Sequence, residues 1–78
     1  MLDSRVLRVF REVFDDEQLA VSDTTSARDV PDWDSLAQVK LVIALEQEFD
    51  VRFSTTEIGT WACVGDLKRA LRSKLGAA

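Results

Sequence analysis

Ser35 is the residue in this chain whose type and setting could do chemistry. It follows Asp34 directly, precedes Leu36, and stands at the mouth of the strongest helical pattern in the sequence, Leu36 to Phe49. A nucleophilic serine needs a base within reach and usually an acid behind that base. The 78 residues contain no histidine, so the base would have to be Asp34 or Lys40. An adjacent carboxylate at a helix end suits that role poorly, and Lys40 falls about 140° around the helix from Ser35 at 100° per residue. No catalytic residue is assigned, and the chain reads as something other than an enzyme. Metal chemistry finds no more support. With no histidine, one cysteine and no spaced carboxylate loop of the EF-hand type, no metal ligands are assigned. Cys63 alone can form no internal disulfide, and it reads as a small core or helix-cap residue.

From local sequence, the other reading of Asp34-Ser35 is capping. Either side chain could accept from the free N–H groups of the first turn, and Ser35 with Gln38 three residues on makes a capping-box pattern. Asp-Ser-Leu taken alone does not choose between a cap and a functional serine.

The helix behind Ser35 has two apolar stripes. Leu41, Val42, Leu45 and Phe49 cluster on one face and are expected in the core. Leu36, Val39 and Ile43 form a second stripe rotated by about a quarter to a third of a turn. That stripe is either a widening of the buried face or an exposed ridge suited to a partner protein. Val39 and Ile43 are the candidate docking residues on it, with Glu46 beside them at the edge of the core face. Trp33 has two readings as well: folded back over the loop, or exposed as an aromatic anchor in a partner interface.

The rest of the chain must position this helix. Val6, Leu7, Phe10, Val13 and Phe14 recur at three- and four-residue spacings, which predicts a helix over Ser4 to Phe14 capped by Asp3 or Ser4. Residues 15–34 form a long connection rich in Asp, Ser and Thr, anchored by Leu19, Val21 and Val30. Ser26 to Asp29 could make a single helical turn within it. Pro31 pushes Val30 toward an extended conformation, so the chain enters the next helix from a turn. After Phe49, Ser54-Thr55-Thr56-Glu57 has the capping-box pattern and predicts a short helix ending near Gly59. Val64, Leu67, Ala70, Leu71 and Leu75 mark one face of a last helix over Val64 to Leu75, with Lys68, Arg69, Arg72 and Lys74 elsewhere and Gly76 as its stop. The fold expected is all-α: a small bundle of three principal helices plus one short helix, filling a single domain over residues 1–78.

At 46% hydrophobic and 31% charged residues, the composition is that of a globular chain. No apolar run approaches the ~20 residues that cross a bilayer, and the first residues lack the pattern of a signal peptide. The expectation is a cytoplasmic monomer with no membrane partner. The net charge of −4 is uneven: residues 12–34 carry eight acids against Arg28 alone. Acid concentrated in the approach to Ser35 repels phosphate backbones and argues against nucleic acid. It favours partners with a basic surface.

The whole layout resembles the acyl carrier protein family. Asp34-Ser35-Leu36 resembles its phosphopantetheine attachment motif, Leu41 to Phe49 its second-helix signature, and Val64-Gly65-Asp66-Leu67 the start of its last helix. The resemblance implies that Ser35, flanked by Asp34 and Leu36, accepts 4′-phosphopantetheine from coenzyme A through a phosphopantetheinyl transferase. It further implies that the arm's thiol carries acyl groups as thioesters between acyl-loading and acyl-processing enzymes. A phosphodiester suits a helix N-terminus, whose N–H groups and partial positive charge face it. The chain departs from the family's common pattern in two places. Asp32 and Trp33 stand where a glycine is common before the motif, and Ala37, Lys40 and Gln47 stand where acids are frequent. The Trp-Asp-Ser-Leu form resembles free-standing carriers of specialised pathways, of the polyketide kind, more than carriers of primary fatty acid synthesis. An aminoacyl or peptidyl carrier, and a helical interaction module with Ser35 as a mere cap, are the alternatives.

Overall fold

The computed structural model describes residues 2–76; Met1, Ala77 and Ala78, the ends of the expected domain, lie outside them. Four α-helices and no strand occur among the described residues: α1 (Leu2–Val13), α2 (Ser35–Phe49), α3 (Thr55–Gly59) and α4 (Val64–Gly76). A 3-10 turn over Ala27–Asp29 interrupts the long α1–α2 connection. This is the expected all-α bundle of three principal helices and one short one.

The three long helices meet along their apolar faces. Val6, Val9 and Phe10 of α1 pack with Leu41, Leu45 and Phe49 of α2 and with Val64, Leu67 and Leu71 of α4. Burying these aliphatic and aromatic side chains is the main stabilising term, at about 1.5–3 kcal/mol each. Leu19, Val21, Val51, Phe53 and Trp61 close the edges of the core, half-buried.

α1 begins earlier than its periodicity predicts, so Asp3 lies inside the first turn and caps nothing. Its carboxylate instead faces Lys68 (3.2 Å) and Arg72 (3.7 Å) of α4. α1 ends at a left-handed residue, Asp15 (φ 50). There Asp16 N–H donates to the Arg11 carbonyl (3.0 Å) and Asp15 N–H to that of Glu12 (3.3 Å), the Schellman arrangement. α2 stops the same way at Asp50 (φ 54), with Val51 N–H on the Glu46 carbonyl at 3.2 Å. Aspartate tolerates this conformation better than most side chains.

Across the α1–α2 seam, Glu48 accepts from Arg5 Nε (2.9 Å) and Arg8 Nη2 (2.7 Å), and the Arg5 guanidinium lies 4.4 Å above the Phe49 ring. The Arg5 hydrogen bond, with Arg8 beside it, holds the Glu48 carboxyl below the usual glutamate range. The capping box of α3 forms in both directions: Glu57 N–H to Ser54 Oγ (3.1 Å) and Ser54 N–H to Glu57 Oε1 (3.0 Å).

Two expectations for α4 are corrected. Leu75 is exposed, because the last turn runs past the core. Lys68, expected on the surface, is 6% exposed. Its stem is buried while its ammonium reaches Asp23 (2.9 Å) and Asp3 (3.2 Å), the behaviour of a long amphipathic side chain at a core edge.

Candidate functional site

Everything near Ser35 follows from how the chain enters α2. Val30, directly before Pro31, is extended and buried. Trp33 N–H donates to the Val30 carbonyl (3.0 Å) and Asp34 N–H to that of Asp32 (3.0 Å), which turns the chain onto the helix axis. Asp34 is extended and is the N-cap: its Oδ1 accepts the Ala37 N–H at 2.8 Å. Its carbonyl accepts the Gln38 N–H at 2.9 Å.

That cap leaves Ser35 free. It is the first helical residue and is exposed. Among the described residues no hydrogen bond engages its hydroxyl, nor the backbone N–H groups of Ser35 and Leu36. No acidic side chain sits in the first turn of α2, so the positive end of the helix dipole is offset only by the Asp34 cap. The alternative box between Ser35 and Gln38 does not form. Gln38 Oε1 instead accepts the Trp33 indole N–H at 2.6 Å.

Trp33 is half-buried, with its ring edge-on to Phe10 (5.3 Å) and Phe14 (6.0 Å). The folded-back reading of Trp33 is the observed one, and the exposed docking aromatic is corrected. A half-apolar tryptophan whose N–H finds an acceptor is a packing residue. Beside it is an open cleft of about 460 Å³, lined by Asp34, Ser35, Trp33 and Gln38 together with Trp61, Cys63 and Leu67. Trp61 packs edge-on to Phe53 at 4.9 Å. Lys40 does not share this cleft. It lines a second, smaller one with Asp15, Asp32, Asp34 and Leu36, so Ser35 and Lys40 face different hollows.

The long connection reaches Asp34 in one register because α4 holds it. The free N–H groups at the start of α4 donate to loop carbonyls: Val64 to Thr25 (2.8 Å) and Gly65 to Asp23 (2.7 Å). Asp66 closes the same helix end by accepting the Ala62 N–H at 2.8 Å, which holds its carboxyl below the usual aspartate range. The Ser26–Asp29 turn forms as expected, with Ser26 N–H on Asp29 Oδ2 at 2.9 Å.

Of the two stripes on α2, the first is core and the second is exposed: Leu36 63%, Val39 55% and Ile43 49%. Glu46 does not join that ridge. It is half-buried, and its Oε2 accepts the Phe53 N–H at 2.9 Å, so it anchors the α2–α3 connection. Sequence reasoning missed three residues that shape the site: Gln38, Gly65 and Lys68. For Gln38 a signal existed, since a packed tryptophan needs an acceptor for its N–H.

Residues 4–71 match the family described as a phosphopantetheine attachment site. Among solved structures the chain is similar to a holo acyl carrier protein from Geobacter metallireducens, determined by solution NMR. The TM-score is 0.89 at 36% identity, covering 97% of this chain and 86% of that one. No curated protein matches. The local geometry fits the group that such carriers bear, for it offers an exposed unpartnered hydroxyl, two free N–H groups at a helix start, and an open cleft leading away. The chain belongs to the acyl carrier protein family, whose members work by carrying groups on covalently attached 4′-phosphopantetheine rather than by catalysis.

Proposed function

We propose that Ser35 is the residue joined to 4′-phosphopantetheine, and that the chain holds acyl intermediates as thioesters on that arm in a polyketide-type or related specialised pathway. The observation that carries the reading is the division of labour at the start of α2. Asp34 satisfies the helix end, so the Ser35 hydroxyl is left exposed and unpartnered. A serine needed as a cap would be bonded inward. This one is presented to a transferase bringing coenzyme A, and the two free N–H groups face the phosphodiester that results.

Leu36, Val39 and Ile43 supply the docking ridge beside the site. Three exposed apolar side chains on one face give a small contact that forms and releases, as a carrier needs at each step. From Leu36 to Leu45 α2 has no acid, and Lys40 is its one charged residue. This supports partners that meet α2 itself with a chiefly apolar groove, while their basic groups face the acidic connection that leads to Ser35.

Incubation with coenzyme A and a broad-specificity phosphopantetheinyl transferase, followed by intact mass, tests the attachment. The wild type gains one phosphopantetheine and Ser35→Ala gains none. No adduct on the wild type, or an equal adduct on the variant, overturns the reading. Acyl loading is then scored with acyl and aminoacyl transferases as competing donors, and preferential aminoacylation would replace the acyl assignment.

A further inference from the structure

We propose that Gln38 is a positioning residue for the arm: its side-chain amide, aimed by the Trp33 indole, donates to the oxygens at the near end of the arm and lays it along the cleft toward Trp61. The inference rests on Ser35 being the attachment point and goes beyond it.

The chemistry of the pair fixes which way the amide points. An indole N–H only donates, so the atom 2.6 Å from Trp33 Nε1 must be the amide oxygen of Gln38. That bond uses Oε1 and leaves the Nε2 group with two donors and no described partner. Gln38 lies three residues after Ser35, which puts the two side chains on neighbouring positions of one helix face, roughly 5–6 Å apart at Cβ. Both line the same cleft. A group joined to Ser35 Oγ therefore begins within reach of an amide that has donors to offer and nothing to accept with.

The near end of a pantetheine arm matches that need. Its phosphate oxygens, hydroxyl and first amide carbonyl are all acceptors. The indole bond also holds Gln38 in one rotamer, so little side-chain entropy is lost when the second bond forms. Trp61 and Leu67 line the same cleft, and their apolar surface suits the methylene segments of the arm. Trp33 acts here at one remove, by orienting the amide.

The test uses the holo protein carrying a ¹³C,¹⁵N-labelled arm, in wild type and Gln38→Glu. Glutamate still accepts from Trp33 and cannot donate. The apo spectra report the fold, because the Trp33 indole N–H resonance should stay in its hydrogen-bonded position in both. In the wild type, the Gln38 side-chain N–H₂ resonances shift between apo and holo forms. The arm's geminal methyl protons also show NOEs to the Trp33 or Trp61 ring. In Gln38→Glu those NOEs weaken about fivefold, the population change expected of one lost hydrogen bond. Gln38→Met, which is neutral, should weaken the NOEs to the Trp61 ring similarly and so excludes charge repulsion as the cause; Trp33 is not read in that variant, because methionine also removes the indole's acceptor. Unmoved Gln38 resonances, or equal NOEs in the variants, overturn the inference while the mass of the holo protein still supports Ser35. A wild type that takes up no arm overturns both.

Discussion

The Gly65 N–H donates to the Asp23 carbonyl at 2.7 Å, and that bond lies between the start of α4 and the middle of the long connection. The two backbones approach so closely that a Cβ on residue 65 would sit 3.0 Å from the Asp23 oxygen and 3.3 Å from its Cβ. Glycine is used here for close approach; its φ is not positive. Gly65→Ala must push the Asp23 backbone away and weaken the bond that holds the connection in register. Overpacking of this kind costs about 1–3 kcal/mol, and better helix propensity returns at most about 1 kcal/mol. A net loss of about 1 kcal/mol in urea unfolding is expected, with amide shift changes spreading from Asp23 toward Ser35.

Capping by Asp34 and attachment at Ser35 separate cleanly by stability. Asp34→Ala removes the acceptor of the Ala37 N–H and should cost about 1 kcal/mol, whereas Asp34→Asn keeps an acceptor and costs a few tenths. Ser35→Ala removes a hydroxyl that bonds nothing and should leave apo stability unchanged within about 0.5 kcal/mol. Thermal unfolding of the three apo variants side by side checks this. A Ser35→Ala loss as large as that of Asp34→Ala would make Ser35 the cap.

The Lys68 cluster gives stability a definite pH dependence. The hydrogen bond from Lys68 holds the Asp23 carboxyl below its ordinary 3.8. Backbone and Lys74 contacts hold Glu57 below its ordinary 4.5. A carboxyl lowered in the folded state stabilises above its unfolded value and loses that contribution as pH falls through the folded value. For Lys68, burial opposes the charge, but the hydrogen bonds it donates to Asp23 and Asp3 outweigh it and raise its value above 10.5. Its contribution is present below that value and is lost at higher pH. Unfolding midpoints should therefore be flat with respect to these groups from about pH 5 to 10 and fall on the acid side of that window. Lys68→Met should flatten the acid fall, since Asp23 loses its partner. An undiminished acid slope in Lys68→Met would show that the cluster does not couple to folding.

Much of this arrangement was legible in the sequence because it depends on periodicity. Leu41, Val42, Leu45 and Phe49 are buried as their spacing required, and the Ser54–Glu57 box needs only local chain geometry. Lys68 and Trp33 were less legible because their environments are built by residues far away in sequence. Lys68 is buried because Asp3 and Asp23 arrive from α1 and the connection. Trp33 is packed because α1 presents Phe10 and Phe14. Periodicity also left the Leu36–Val39–Ile43 stripe undecided, since an apolar stripe reads the same whether a neighbouring helix covers it or none does. The resemblance of Asp34-Ser35-Leu36 gave the site its chemistry, but the freedom of Ser35 is a matter of which neighbour caps the helix.

The exposed stripe yields a substitution whose outcome separates docking from packing. Ile43 is about half exposed, so Ile43→Asp should leave the helical spectrum intact and cost no more than about 1 kcal/mol. Leu41 lies two residues away and is fully buried, so Leu41→Asp places a charge in the core and should unfold the chain. If the ridge of Leu36, Val39 and Ile43 is where enzymes seat the carrier, Ile43→Asp should slow phosphopantetheinylation by about tenfold or more, the effect of losing one apolar anchor of about 1.5 kcal/mol. Lys40→Ala, on the same helix and outside the ridge, serves as the control and should change the rate little. Rates are read by intact mass against time at substrate concentrations below saturation. A folded Ile43→Asp protein modified at the wild-type rate would remove Ile43 from the docking surface for that enzyme. An unfolded one would place Ile43 in the core despite its exposure.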